Sequence, residues 1–219
     1  MVSLIAGRRL RAIVGEAVHA LAGHDAAVED LWKNFYCVAS NVSQASELSL
    51  RDGPLVQALL ASAAIPGALP PVLRQGDLLC DGGTFNNFPV DLMRVQRGIG
   101  QVAGVDLSFR KQRKIDLDEV PSAWALALDR LRPRGRRRYR FPSLTSYLLN
   151  VTSLYSTSRQ RQGRRLADLY FNPPLASVGM LQWERFDHIV GLGYAHALEV
   201  LGAGRTAPAQ PVAIEPGVG

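Results

Sequence analysis

Cysteine is scarce. Only Cys37 and Cys80 occur in 219 residues, which excludes a disulfide-knit scaffold. Both sit in apolar runs, where a free thiol behaves as a small buried hydrophobe. Long apolar stretches are missing too. No segment approaches the roughly 20 apolar residues that cross a bilayer, and the apolar part of Met1-Val-Ser-Leu-Ile-Ala-Gly-Arg-Arg9 is too short for a signal peptide. Any membrane contact is therefore expected to be peripheral, on an otherwise cytoplasmic chain. The four histidines form no metal or triad pattern: His19 and His24 lie on and just past a helix-like run, and His188 and His196 have no cysteine or acid at ligand spacing. The Gly191-Leu-Gly193 run lacks the third glycine and preceding strand of a dinucleotide fingerprint. No metal or cofactor is expected. A Gly-x-Ser-x-Gly turn, the strained elbow of many serine hydrolases, does not occur either.

Apolar residues, in contrast, are plentiful at 47%, enough to bury a sizeable core in one domain with a small appendage. The formal net charge of +6 comes largely from one cluster, seven arginines between Arg130 and Arg140, interrupted by Pro133 and Gly135. It reads either as a solvated loop or as a patch for anionic lipid headgroups, where each basic residue adds about 1 kcal/mol. No zinc-finger or RNA-recognition motif accompanies it, so nucleic acid is not an expected partner.

The chain is organised around Asp77-Leu-Leu-Cys-Asp-Gly-Gly-Thr-Phe-Asn-Asn-Phe-Pro-Val-Asp91. Leu78 to Cys80 suit a buried strand, Gly82 and Gly83 open backbone conformations closed to other residues, and Pro89 fits a helix's first turn. Asp81 then stands at a strand end, where an open α/β sheet places its chemistry. Before it, the spacing predicts a helix over 10–22, a strand over Phe35–Ala39, a short strand at 48–50 and a helix over 55–64. Asn41, just past the first strand, is either a turn former or a residue lining the site. Ser62 lacks the flanking glycines of a nucleophile elbow. After the motif come a helix over 90–97 and a strand over 101–107, a βαβ unit that implies parallel strands. Asp106 ends that strand and reads as a cap or surface acid. Helices over 121–131, 144–166 and 186–201 and a strand over 168–171 complete the reading.

Leu31 to about Met93 resembles the second half of a patatin-like phospholipase domain, nearest in detail to the neuropathy target esterase branch. The residues that carry the resemblance are Asp81-Gly82-Gly83, then Asn86, Asn87, Pro89 and Asp91, and before them Ser62-Ala-Ala-Ile-Pro-Gly-Ala-Leu-Pro-Pro71. It continues more loosely through Asp106 and Phe186–Tyr194. The resemblance implies an α/β fold with a mainly parallel sheet flanked by helices, N-terminally incomplete, in which the strands at 35–39, 78–80 and 102–106 are neighbours. It implies hydrolysis of phospholipid or lysophospholipid acyl esters by a Ser-Asp dyad. Asp81 would be the proton acceptor, Asp81, Gly82 and Gly83 the motif, and Asn41, Asn86 and Asn87 the supporting residues. Because the serine segment lies upstream in the family, the chain is expected to begin late and to be inactive alone. The alternative is a non-catalytic lipid-binding or interaction module. Residues 1–108 would be the C-terminal part of the hydrolase domain, 109–202 the family's C-terminal extension and 203–219 a disordered tail. The N–H groups of the two glycines are expected to favour ionised Asp81.

Overall fold

The computed structural model describes residues 7–107, 119, 121–132, 147, 150–175, 178 and 182–204. Along them run α1 (Gly7–Ala22), β1 (Cys37–Asn41), β2 (Ser46–Leu50), α2 (Leu55–Ser62), β3 (Val72–Arg74), β4 (Asp77–Asp81), α3 (Val90–Arg94), β5 (Ala103–Val105), α4 (Ala123–Arg130), α5 (Leu154–Leu166), β6 (Leu169–Phe171) and α6 (Phe186–Gly204). They fall into two compact units, one of Met1–Pro89 with Arg113–Gly163 and one of Val90–Gln112 with Arg164–Gly219.

The first unit is built on a four-stranded sheet in the order β2-β1-β4-β3. Its central strand β1 is buried at all five positions, as its run of small and β-branched residues suggests. Every pairing is antiparallel, with Cys37 opposite Leu50, Ala39 opposite Asp81 and Val72 opposite Leu79. The expectation of a mainly parallel sheet is therefore corrected to a mixed α/β arrangement. The reason lies in the connections. Only residues 42–45 join β1 to β2, and only Gln75 and Gly76, both at positive φ (52° and 89°), join β3 to β4. Such links make hairpins, since a parallel crossover needs a dozen or more residues.

Helix α2 connects the two edge strands and packs on β1 and β4. Its Leu55, Ala58 and Ala61 join Val18 of α1 and Cys37, Ala39, Leu50, Val72 and Leu79 of the sheet in one core. Leu50 and Leu79 are its largest fully buried side chains. Truncating either to alanine removes about 2–5 kcal/mol. Cross-strand partners share a face, so Ala39, Leu79 and Asp81 lie on one side of the sheet, and Ser40, Cys80 and Glu47 on the other.

The second unit holds the parallel pairing. Ala103, Gly104 and Val105 of β5 lie opposite Leu169, Tyr170 and Phe171 of β6. The strand expected beside Leu78–Cys80 is thus in a separate two-stranded sheet, because β1 and β3 already occupy both edges of β4. Asp168 fixes the start of this pair, accepting from the Val102 N–H (2.7 Å) and pairing with Arg94 (2.9 Å). Helix α6 runs through Ala203 and Gly204, and the rest of the expected tail, 205–219, lies outside the described residues. So do Arg134 to Arg140 of the arginine cluster and most of 109–119 and 144–149. Among the described residues no helix is long and apolar enough to cross a membrane.

Candidate active site

Asp81 is the last residue of β4 and caps the 3-10 turn Gly82–Thr84, its Oδ1 accepting from the Gly83 N–H at 2.6 Å. Its main chain is held on both sides. The Asp81 N–H donates to Ala64 O (3.0 Å), and Ser40 Oγ donates to Asp81 O (2.9 Å). Among the described residues Oδ2 receives no hydrogen bond. The carboxylate is therefore oriented through one oxygen and leaves the other open to a proton donor.

Sterics dictate the two glycines. A Cβ on Gly82 would stand 2.2 Å from Val38 O and 2.6 Å from Val38 C, inside the backbone of the central strand. One on Gly83 would meet Asn87 Oδ1 at 2.9 Å and Asp81 Oδ1 at 3.0 Å. Gly82 O then accepts from the N–H groups of Phe85 (3.0 Å) and Asn86 (2.7 Å), closing the turn over the strand end.

Burial raises the Asp81 carboxyl above the ordinary aspartate range, and the Gly83 N–H only partly offsets it. The expectation that the glycine N–H groups favour ionised Asp81 holds for Gly83, the one of the two that donates to the carboxylate, but desolvation is the larger effect. The same burial acts on the thiols. Cys37 and Cys80 are free and buried, as expected, with Cys37 pushed up to about 11 and Cys80 also raised. Thiolate is the reactive form, so neither is suited to be a nucleophile.

Of the supporting asparagines, the fold brings two to the Asp81 turn. Asn87 places its Oδ1 beside Gly83 and donates its N–H to Ser156 Oγ (2.9 Å). Buried Asn86 accepts from the Phe88 N–H (3.3 Å) and donates from Nδ2 to Glu47 Oε1 (2.8 Å). Asn41 lies further along the sheet, opposite Leu79, where its amide binds Asp77 Oδ2 (2.8 Å) and accepts from the Gln44 N–H (3.1 Å). Its contacts are those of a turn former. Ser62 is the last residue of α2, not the apex of a strand-to-helix turn. Asp106 belongs to the second unit, its carboxylate taken by Tyr170 OH (2.6 Å) and Arg164 Nη2 (3.1 Å).

Sequence reasoning missed Glu47 and the face of α5. Glu47 Oε2 accepts from Arg159 Nη1 at 2.5 Å, Tyr155 packs on Phe85 with ring centroids 4.7 Å apart, and Gly163 lies against Phe88. Glu47 stood just before the short strand expected at 48–50, and Arg159 was one of several basic residues near a helix end; the strand in fact begins at Ser46.

The family model of the patatin-like phospholipases matches residues 23–94, the segment that holds this strand and turn. Residues 23–94 belong to the patatin-like phospholipase family. Similarity to curated relatives extends beyond that segment. Lysophospholipase NTE1 of Pyricularia oryzae is 29% identical over 202 residues, 87% of this chain and 13% of that protein. The patatin-like phospholipase domain-containing protein ZK370.4 of Caenorhabditis elegans is 32% identical over 180 residues, 78% of this chain and 13% of that protein. Lysophospholipase NTE1 of Candida albicans is 27% identical over 177 residues, 79% and 13% respectively. The chain thus spans about an eighth of the length of these relatives. The patatin-like segment contains the whole four-stranded sheet and the Asp81 turn, whereas Tyr155, Ser156, Arg159 and Gly163 lie outside it.

Proposed function

We propose that Asp81 is the proton acceptor of a patatin-like lipid acyl hydrolase of the phospholipase or lysophospholipase type, working with a serine that residues 1–219 do not present in a Gly-x-Ser-x-Gly turn. The observation that carries this reading is the carboxylate itself: at a strand end, held through Oδ1 by the Gly83 N–H, with Oδ2 open among the described residues. In such a dyad Oδ2 takes the serine proton as the serine oxygen bonds to the acyl carbon. It returns that proton to the departing alcohol. A water molecule then gives its proton to Oδ2 while attacking the acyl-enzyme, and the serine regains a proton as the fatty acid leaves. Burial supports the role, because a base whose proton affinity is raised toward working pH is a more effective acceptor.

The substrate class follows from the family: the acyl ester of a phospholipid or lysophospholipid. Peripheral contact with an anionic membrane belongs to the same proposal and rests on the arginine cluster at 130–140. The alternative, a lipid-binding module without catalysis, is favoured by one observation, the lack of a Gly-x-Ser-x-Gly turn in 1–219. A fluorophosphonate probe separates the two. Residues 1–219 alone are expected to remain unlabelled, and the chain joined to upstream coding sequence that contains Gly-x-Ser-x-Gly is expected to label at that serine. Labelling of a serine within 1–219, with Ser62 the first to check, would overturn the dyad reading. Absence of labelling and of ester turnover in the longer protein would favour the module.

A further inference from the structure

Four consecutive residues after the glycines are held by one helix or through its partner. Phe85 packs on Tyr155, Asn86 reaches Arg159 through Glu47, Asn87 donates to Ser156, and Phe88 meets Gly163. Residues 155, 156, 159 and 163 stand at i, i+1, i+4 and i+8, so they share one face of α5. Of these links, the one with the most at stake is ionic. Glu47 and Arg159 keep only 13% and 24% of their side chains exposed, and losing one partner would leave the other charged with little solvent around it.

We infer that Arg159 and Glu47 are positioning residues for Asp81: through Asn86 they fix the 82–88 turn so that the Gly83 N–H stays on Asp81 Oδ1. The path is continuous. Arg159 neutralises Glu47, Glu47 Oε1 accepts from Asn86 Nδ2, the Asn86 N–H donates to Gly82 O, and Gly82 presses on Val38 while its neighbour Gly83 donates to Asp81. Because, among the described residues, the Gly83 N–H is the group that lowers Asp81's proton affinity, loosening the turn leaves burial less opposed and moves the titration upward. The catalytic meaning of this clamp rests on the proposed role of Asp81, but its test needs no turnover.

The test follows the Gly83 amide by NMR in residues 1–219, reading its hydrogen exchange and the pH midpoint at which its shift reports Asp81. Arg159→Gln is expected to speed Gly83 exchange at least about 10-fold, the loss of a charge-assisted hydrogen bond, and to raise the midpoint while the β1 amides keep their protection. Adding Glu47→Gln is expected to restore both readouts, because glutamine still accepts from Asn86 and no charge is left unpaired. If Arg159→Gln alone unfolds the sheet, the double variant carries the decision: wild-type Gly83 behaviour supports the clamp, and loose Gly83 with an intact sheet refutes its ionic basis. Unchanged exchange and midpoint in a folded Arg159→Gln protein overturn the inference without touching the role of Asp81. Retained hydrolysis after Asp81→Asn would overturn that role and leave the Gly83 result standing.

Discussion

Replacing Gly82 by alanine tests the packing that holds Asp81. The added Cβ would lie 2.2 Å from Val38 O and 2.6 Å from Val38 C. An ordinary contact needs about 3.4 Å, so the shortfall is about 1 Å against main-chain atoms, which cannot rotate away as a side chain can. Strand β1 is buried throughout and paired on both edges, so it cannot yield cheaply either. Overpacking of this kind costs about 3 kcal/mol, at the upper end of the usual range. Moving the turn instead sacrifices the Gly83 bond to a carboxylate, about 1.5–3 kcal/mol. Either route removes a large share of a stability that is about 5–15 kcal/mol for a whole domain. Gly15 is the control, since its Cβ would meet nothing within 4 Å in the interior of α1, and Gly15→Ala should stabilise by about 0.5–1 kcal/mol. The assay is urea unfolding read through the protection of β1 amides, which assigns the transition to the four-stranded sheet. With a slope of about 2 kcal/mol/M, Gly82→Ala should lower the midpoint by about 1.5 M and Gly15→Ala should raise it by a few tenths. A Gly82→Ala protein that unfolds within about 0.3 M of the parent would refute the close approach of the turn to Val38.

Asp81→Asn should change stability in a pH-dependent way. Burial raises the folded carboxyl above its unfolded value, so the parent is relatively favoured below the unfolded pKa and loses that stability as pH rises through the folded one. Asparagine still accepts from Gly83 but carries no charge, so its advantage in melting temperature should grow from pH 4 upward and then level off; a constant difference across that range would contradict the burial argument. The thiols give a simpler reading. With Cys37 at about 11 and Cys80 also raised, a disulfide reagent at pH 8 should react slowly with native protein and fully after unfolding, and immediate native labelling would contradict their burial. The arginine cluster should give flotation with anionic vesicles that weakens as salt rises and the screening length falls below about 8 Å. Equal binding to neutral vesicles, or no response to salt, would return 130–140 to a solvated loop.

The Asp81 turn was legible because its chemistry is local: an apolar run, two glycines, two amides and a proline specify a strand, a tight turn and a helix start in fifteen residues. β1 was legible for the same reason, although it runs from Cys37 to Asn41, two residues later than expected, so that Asn41 ends the strand and does not follow it; α1, α2 and α6 were legible too. The strand directions were not. Residues 72–74 form a strand whose hairpin turn is Gln75-Gly76 rather than the familiar Asn-Gly, and it is this strand, not residues 102–106, that takes the edge of β4. Glu47 and Arg159 are 112 residues apart, and neither has a local pattern that points to the other. The raised carboxyl was hidden as well, because the Gly83 donor can be read from neighbouring residues, whereas the burial that outweighs it comes from the folded sheet.

The central claim is that Asp81 accepts the proton that makes a serine nucleophilic. It is tested most directly by ester turnover in a protein that joins this chain to a segment carrying Gly-x-Ser-x-Gly, comparing the parent with Asp81→Asn. Loss of the base should reduce kcat by about 10²- to 10⁴-fold, roughly 3–5 kcal/mol of barrier, while the protection of β1 amides is preserved. An Asp81→Asn protein that is folded and keeps most of its turnover would contradict the account.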